Sequence, residues 1–202
     1  MTDPQQIEMV EKKPCYSGFF RLYRCRVRHT LFAGGWSDEL VRELIDRGQG
    51  VAVLLYDPVL DRVVLIEQFR IGAIGAECGP WLVEIVGGMV EPGESRRDVA
   101  QRETMEEAGC QLRDLIPIYD YFSSPASSCE RIALYCGIVD ASRAGGVYGL
   151  ADEGEDIRVR VMDCDAALEQ IGRGALASAT PIIALQWLML NRPRLREQWA
   201  GA

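Results

Sequence analysis

The chain has 202 residues, enough for one sizeable domain or one domain with a small appendage. Hydrophobic residues make up 48% and charged residues 26%, a balance that supports a packed core and sets disorder aside. A net charge of −8 argues against a nucleic-acid-binding or anionic-membrane surface. In chain order, the region from Cys15 to Asp46 predicts a strand-rich segment. Tyr23, Cys25 and Val27 alternate there with Arg24, Arg26 and Arg28. Gly34-Gly35 marks a turn, and Leu40, Val41 and Leu44 follow among charged residues. Val51–Leu55 is a continuous apolar run, Asp57-Pro58 with Asp61 reads as a turn, and Val63–Ile66 as the returning strand. Trp81–Val86 predicts another strand that ends at Gly87-Gly88. A helix follows, with Ser95 as N-cap, Asp98 as its capping-box partner and Gly109 as the stop after Ala108. Arg131–Val139 and Ile157–Val161 read as strands, Asp165–Ile171 and Pro181–Asn191 as helices, the last started by Thr180 and Pro181. The pattern divides the chain into an N-terminal strand-rich segment, residues 1–48, and a main domain, residues 49–202. Its class is α+β, a mixed sheet sandwiched by helices.

The longest apolar run, Pro181–Leu190, is interrupted by Gln186 and too short for a bilayer, so no membrane span is expected. The first residues carry no apolar h-region, so no secretory signal is expected either. Seven scattered cysteines, odd in number and without a C-x-x-C pair, fit free thiols in the cytoplasm.

The chemistry concentrates in residues 88–110, GMVEPGESRRDVAQRETMEEAGC. At helical spacing Glu103, Glu106 and Glu107 share an arc of about 100°, with Val99 inside it. As a bare E-x-x-E-E motif this is most often a solvated acidic face, where each like-charged pair costs about 0.2–0.5 kcal/mol. The functional alternative is a hard-cation site, because Mg²⁺ takes one or two carboxylates together with substrate phosphates. Glu103 and Glu107 present oxygens to one spot and Glu106 widens it. Arg96 and Arg102 flank the cluster. Glu94 falls on the far side of the helix and is better placed to organise the loop through Arg102 or backbone N–H groups. Gly88 and Gly93 give the preceding loop its sharp turn.

The whole pattern is G-x5-E-x7-R-E-U-x-E-E-x-G-U, where U is bulky and apolar, and it resembles the Nudix box. Its fixed positions here are Gly88, Glu94, Arg102, Glu103, Glu106, Glu107 and Gly109. Seven such matches arise by chance about once in a million chains of this length. The two U positions depart, being Thr104 and Cys110. The resemblance implies a Nudix fold and hydrolysis of a nucleoside diphosphate linked to another group. It also implies two or three Mg²⁺ ions per site, with Mn²⁺ as the alternative, and adds the carbonyl of Gly87 to the metal ligands.

Outside the box the chain resembles the bacterial ADP-ribose pyrophosphatase subfamily from about Tyr16 to Trp199. The carrying segments are YSGFF (16–20), VLIEQFRIGA (64–73), PWLVEIVGGMVEPGES (80–95), SSPASSCER (123–131), GLADEGEDI (149–157) and IIALQWL (182–188). Pro125, sixteen residues past Gly109, is a mark of that subfamily. The resemblance implies hydrolysis of ADP-ribose to AMP and ribose 5-phosphate. It assigns adenine contact to Phe19 and Phe20, and phosphate or ribose contact to Arg42, Arg47 and Arg70. Glu43, Met89, Ser124, Pro125, Ala126 and Glu130 match further substrate-contact positions. Ala126-Ser127 stands where the subfamily usually has glycines. In the acidic loop Glu153 matches the base that activates water and Glu155 the metal-proximal position. His29, the single histidine, lies in the arginine-rich strand and is a poor base. The resemblance further implies a homodimer that exchanges the N-terminal segment, which is too small to bury a core alone. The alternatives are a pyrophosphatase of GDP-mannose or ADP-glucose, and a non-catalytic ADP-ribose sensor, which the intact box carboxylates disfavour.

Overall fold

The computed structural model describes residues 5–200. They divide into two compact units. The first holds the described residues up to Gln49 together with Tyr121–Arg131, and the second holds Gly50–Asp120 with the described residues from Ile132 onward.

The first unit is built on an antiparallel three-stranded sheet in the order β1 (Ile7–Ser17), β2 (Arg21–His29), β3 (Leu40–Asp46). The expected alternation in β2 is visible around Cys25, buried between the more open Arg24 and Arg26, and fades at Val27, which is as open as Arg26 and Arg28. β1 was not expected. Every one of its residues is exposed, so its side chains carry no inside-outside alternation to read. The segment 121–131 joins this unit through backbone bonds, with Ile45 N–H donating to Ser127 O at 2.8 Å and Cys129 N–H to Ile45 O at 3.2 Å.

The main sheet of the second unit has eight strands among the described residues. They are β4 (Gln49–Asp57), β5 (Arg62–Phe69), β6 (Trp81–Glu84), β7 (Val86–Met89), β8 (Asp114–Phe122), β9 (Arg131–Ile138), β10 (Gly146–Tyr148) and β11 (Ile157–Asp163). The path runs β10-β11-β5-β4-β9-β8, with β6 on β5 and β7 on β4. β4 is buried along nearly its whole length, as its unbroken apolar run demands. Strand alternation sends Val51, Val53 and Leu55 to one face, where they meet Val64, Ile66, Val99, Ala108, Ile157 and Val159. The helix of that layer is α1 (Arg96–Ala108). The opposite parity, Leu54 and Tyr56 on β4 with Val63 and Leu65 on β5, is equally buried. α2 (Cys164–Gly172) packs on β5 and β11 and against α3 (Ala179–Trp199). A mixed sheet with three helices is an α+β architecture.

Several boundaries differ from expectation. The single strand expected over Trp81–Val86 breaks at Ile85, because β6 pairs with β5 whereas β7 pairs with β4. β7 then runs through Gly87-Gly88 to Met89, so those glycines lie in a strand and not in a turn. β8 carries Pro117, which an edge strand tolerates since its outer side needs no donor. α3 runs on past Asn191, where the helix was expected to end, and continues through Pro193. Arg192, the residue a proline normally pushes out of helical geometry, is held by Asp61 and Asp165. Asp61 itself takes the left-handed conformation (φ 58°) that a short polar side chain accepts, and Tyr56 donates its hydroxyl to it at 2.8 Å.

Candidate active site

α1 starts where the sequence places it. Ser95 Oγ accepts the N–H of Asp98 at 3.2 Å and donates to the Asp98 carboxylate at 2.6 Å. The reciprocal partner of the cap is thus the serine hydroxyl and not its backbone N–H, a variation on the capping box. At the other end Gly109 adopts a left-handed φ of 61°. A Cβ there would also lie 2.4 Å from the Tyr148 ring, so the position excludes a side chain twice over.

The three box glutamates differ in environment. Glu107 is only 2% exposed and takes the N–H of Gly87 on Oε2 at 2.9 Å. It is no part of a solvated acidic face. Burial pushes its carboxyl up to about 8; the Gly87 N–H opposes this, the carboxylates of Glu103 and Glu155 add to it, and Arg70 eases it. Burial likewise raises Glu103, against the pull of Arg102, and Glu106 and Glu155 push the same way as burial. Glu106 is half-buried and bonded to Arg102.

Arg102 organises the cluster. Its Nη1 donates to Glu103 at 2.8 Å and Glu106 at 3.0 Å, while Nε and Nη2 grip Glu94 at 3.2 and 3.3 Å. Glu94 also accepts the Glu91 N–H at 3.2 Å, and Arg102 holds its carboxyl below the usual range. Gly88 serves a purpose other than turning. A Cβ on it would fall 1.7 Å from Glu103 Oε1, so the glycine lets that carboxylate lie against the β7 backbone.

The acidic loop rests on the same helix. Gly149 N–H donates to the backbone carbonyl of Glu106 at 3.1 Å. Glu155 closes the loop on Leu150, its N–H donating to Leu150 O and its carboxylate accepting Leu150 N–H, both at 3.1 Å. Glu155 is thereby brought into the field of Glu103 and Glu107. Glu153 stands exposed at the end of a single 3-10 turn, Ala151–Glu153. Arg70, just past β5, donates Nε to Glu84 Oε2 at 2.7 Å. Met89 ends β7, half-buried and paired with Gly50.

The donor set fits a divalent cation. Burial and mutual repulsion raise the proton affinity of Glu103 and Glu107, and a hard cation relieves the same strain with the oxygen ligands it prefers. Among the described residues no three acidic, cysteine or histidine side chains close a metal site by themselves. Arg102 holds Glu103 and Glu106, and backbone N–H groups hold Glu107 and Glu155. A hard cation held beside these carboxylates would complete its shell with backbone carbonyl, water and phosphate oxygens.

The other expected contact residues gather in the first unit. Phe19 and Phe20 meet edge to face at 4.8 Å between centroids, and the Arg47 guanidinium lies 4.5 Å over the Phe20 ring. Phe19 is 89% exposed and offers an open aromatic face. Arg47 Nε also reaches Glu130 Oε1 at 3.4 Å, and Ser123 donates its hydroxyl to the same carboxylate. Arg42 and Glu43 are exposed neighbours on β3, Arg42 donating to Val41 O at 2.8 Å. Ser124, Pro125 and Ala126 form an exposed loop whose Ser124 carbonyl takes the N–H of Ser127 and Ser128. His29 is exposed on β2 with Nδ1 against Thr30 O at 2.9 Å.

Three contributors escaped the sequence reading. Glu84 pairs with Arg70, Tyr148 packs on Gly109, and Ser123 supports Glu130. Glu84 had a visible signal, a lone charge in the apolar stretch PWLVEIV. The other two depend on long-range packing.

A strand, a glycine-bearing loop and a helix with buried carboxylates define a site for metal-assisted hydrolysis of a phosphoric anhydride. The NUDIX domain model matches residues 46–181, and the chain belongs to that family. It is 45% identical over 194 residues to an ADP-ribose pyrophosphatase of Escherichia coli strain K12, covering 96% of this chain and 93% of the relative. A second ADP-ribose pyrophosphatase, from Haemophilus influenzae, is 43% identical over 198 residues, 96% of this chain and 91% of its own. A GDP-mannose pyrophosphatase from Cronobacter sakazakii is 34% identical over 152 residues, 74% and 78% of the two chains.

Proposed function

We propose that this Nudix hydrolase splits the diphosphate of ADP-ribose, releasing AMP and ribose 5-phosphate. The observation that carries the reading is the similarity to ADP-ribose pyrophosphatases along nearly the full length of both chains, at 45% identity against 34% for the GDP-mannose enzyme.

In this reading Gly87 (through its carbonyl), Glu103, Glu107 and Glu155 hold two or three Mg²⁺ ions, with Glu106 alongside and Mn²⁺ as the alternative. When bound, the metal neutralises the diphosphate and makes its phosphorus more electrophilic. Glu153, exposed at the end of its turn, takes the proton of the attacking water. Arg70 presents its guanidinium to a phosphate while Glu84 keeps Nε occupied. Arg102 and Glu94 keep the box loop in place. Phe19 and Phe20 take the adenine, Arg42, Glu43 and Arg47 the phosphate and ribose, and Met89, Ser124, Pro125, Ala126 and Glu130 the remainder of the substrate.

Residues 1–48 serve as a dimerisation segment, exchanged between two copies of the chain, and residues 49–202 as the hydrolase domain. The apolar residues left exposed on the three-stranded sheet and its turns support a covered face. Ile7, Met9, Tyr16, Phe32 and Val41 are among them. Among the described residues no helix is long and apolar enough to cross a membrane. The seven free cysteines support a reducing compartment, the cytoplasm.

A panel of ADP-ribose, ADP-glucose, GDP-mannose, diadenosine polyphosphates and NADH, assayed with and without Mg²⁺, tests the reading. ADP-ribose should rank among the best by kcat/KM, and activity should vanish without divalent metal. A clear preference for GDP-mannose would sink it.

A further inference from the structure

Along β5 the side chains on the α1 face run Val64, Ile66, Gln68, and the extended backbone of Arg70 continues the row. The ladder continues with it, since Arg70 N–H donates to Pro80 O at 2.7 Å beyond the Gln68–Leu82 and Ile66–Glu84 pairs. The row passes from dry core to solvent: Ile66 is fully buried, Gln68 is 6% exposed, and the Arg70 side chain is 47% exposed. Glu84 belongs to the same face, directly opposite Ile66, and reaches along it to bond Arg70.

Gln68 is the anomaly in this row. Its Nε2 is shut off from solvent and has no hydrogen-bond partner among the described residues. A buried amide donor without an acceptor costs free energy, and an apolar residue of similar size would remove that cost. Its neighbours explain where an acceptor would come from. Glu84 occupies only Nε of Arg70, and the two Nη groups make no bond among the described residues. The guanidinium is also close enough to ease the charge on Glu107. A phosphate oxygen brought up to the Nη groups of Arg70 therefore arrives two residues along one strand face from a donor that lacks a partner.

We infer that Gln68 is a further substrate-binding residue, whose carboxamide turns toward Arg70 and donates to a non-bridging oxygen of the bound diphosphate. The inference rests on the reading of the chain as a nucleoside diphosphate hydrolase and adds a second donor beside the arginine. The diphosphate, unlike the base or the terminal sugar, matches a cationic neighbour and a neighbouring carboxylate cluster built for cations. An amide donor here is dry, so its bond to an anionic oxygen is not diluted by competing water.

The test uses Gln68→Met and Gln68→Leu in the full-length protein, with melting temperature and steady-state kinetics measured together. The free protein has no bond to lose, so its melting temperature should hold or rise. KM for ADP-ribose should increase about tenfold or more, the worth of one hydrogen bond to a charged group. KM for GDP-mannose, where it is turned over, should rise by the same factor, because the diphosphate is common to both. The stabilisation that ADP-ribose gives the parent in a thermal melt should shrink in the variants. Unchanged KM in a folded variant overturns the inference. So does failure of both variants to fold, because Gln68 would then be holding the free structure together. A loss confined to one substrate assigns Gln68 to base or sugar and overturns it too. If the parent proves to prefer GDP-mannose, the proposed substrate falls, and the same variants still decide the role of Gln68 with that substrate.

Discussion

Glu107 and Gly87 meet through one hydrogen bond of 2.9 Å, carboxylate to backbone N–H, between α1 and β7. That bond holds a buried carboxylate beside the carbonyl expected to share its metal, and it offsets only part of the electrostatic cost of burying the charge. With the folded carboxyl raised to about 8 from an ordinary 4.5, the folded state binds the extra proton between those values. The contribution to stability is full below about pH 4.5 and is lost as pH rises through about 8. Metal-free protein in EDTA should therefore lose melting temperature from about pH 5 to about pH 8, and Mg²⁺ should recover it at the upper end. Glu107→Gln should flatten that decline and at the same time lower kcat about a thousandfold or more. Thermal melts across pH, with and without metal, check the first half; a variant that melts along the parent curve contradicts it.

Gly88→Ala is expected to separate activity from folding. The new methyl would collide with Glu103 Oε1, the end of a movable side chain, so the carboxylate should swing away while β7 stays paired. Activity should fall by about two orders of magnitude or more, with a stability loss of about 1–2 kcal/mol. Denaturant titration beside a rate assay reads both. Near-parent activity would mean that the position of Glu103 against β7 is immaterial.

Two carboxylates of the acidic loop should separate by their response to metal. Glu155 is bonded to Leu150 N–H and lies in the field of Glu103 and Glu107, whereas Glu153 is exposed. Glu153→Gln should depress kcat strongly with little change in KM or in the Mg²⁺ dependence. Glu155→Gln should raise the Mg²⁺ concentration for half-maximal rate. The opposite pattern would exchange the two roles, and indifference at both positions would leave the chemistry to the box.

Light scattering at micromolar concentration should give about twice the 22.5 kDa of one chain. Removing apolar side chains from the exposed three-stranded sheet, Ile7→Ser with Met9→Ser, should shift that mass toward one chain. A parent that scatters as a monomer rules the dimer out.

How far the sequence could be read depended on whether local rules acted alone. α1 was legible at both ends because Ser95, Asp98 and Gly109 each act within a turn of their own position. The central strands were legible because β4 and β5 are buried on both faces and so read as unbroken apolar runs. β1 was not, being exposed throughout, and β8 hid behind an edge proline. α3 was ended too early, at Asn191, because the partners of Arg192 beyond it, Asp61 and Asp165, are remote in sequence. In the site, the spacing of Glu103, Glu106 and Glu107 announced a shared face. It did not announce that Glu107 is buried, since that depends on β7 lying against the helix.

The acidic loop begins at Gly149, whose N–H is fixed to Glu106 O, and Tyr148 just before it packs on Gly109. The helix that carries the box is therefore also the ruler against which Glu155 is set. Substitutions within residues 151–154 leave that ruler intact, but a one-residue insertion or deletion there does not. It would shift Glu155 by about 3.3–3.8 Å along the chain, more than a metal–oxygen bond. For anyone re-engineering the substrate range of this enzyme, the exposed Ala151 and Asp152 are open to changes of letter, and the loop as a whole is closed to changes of length.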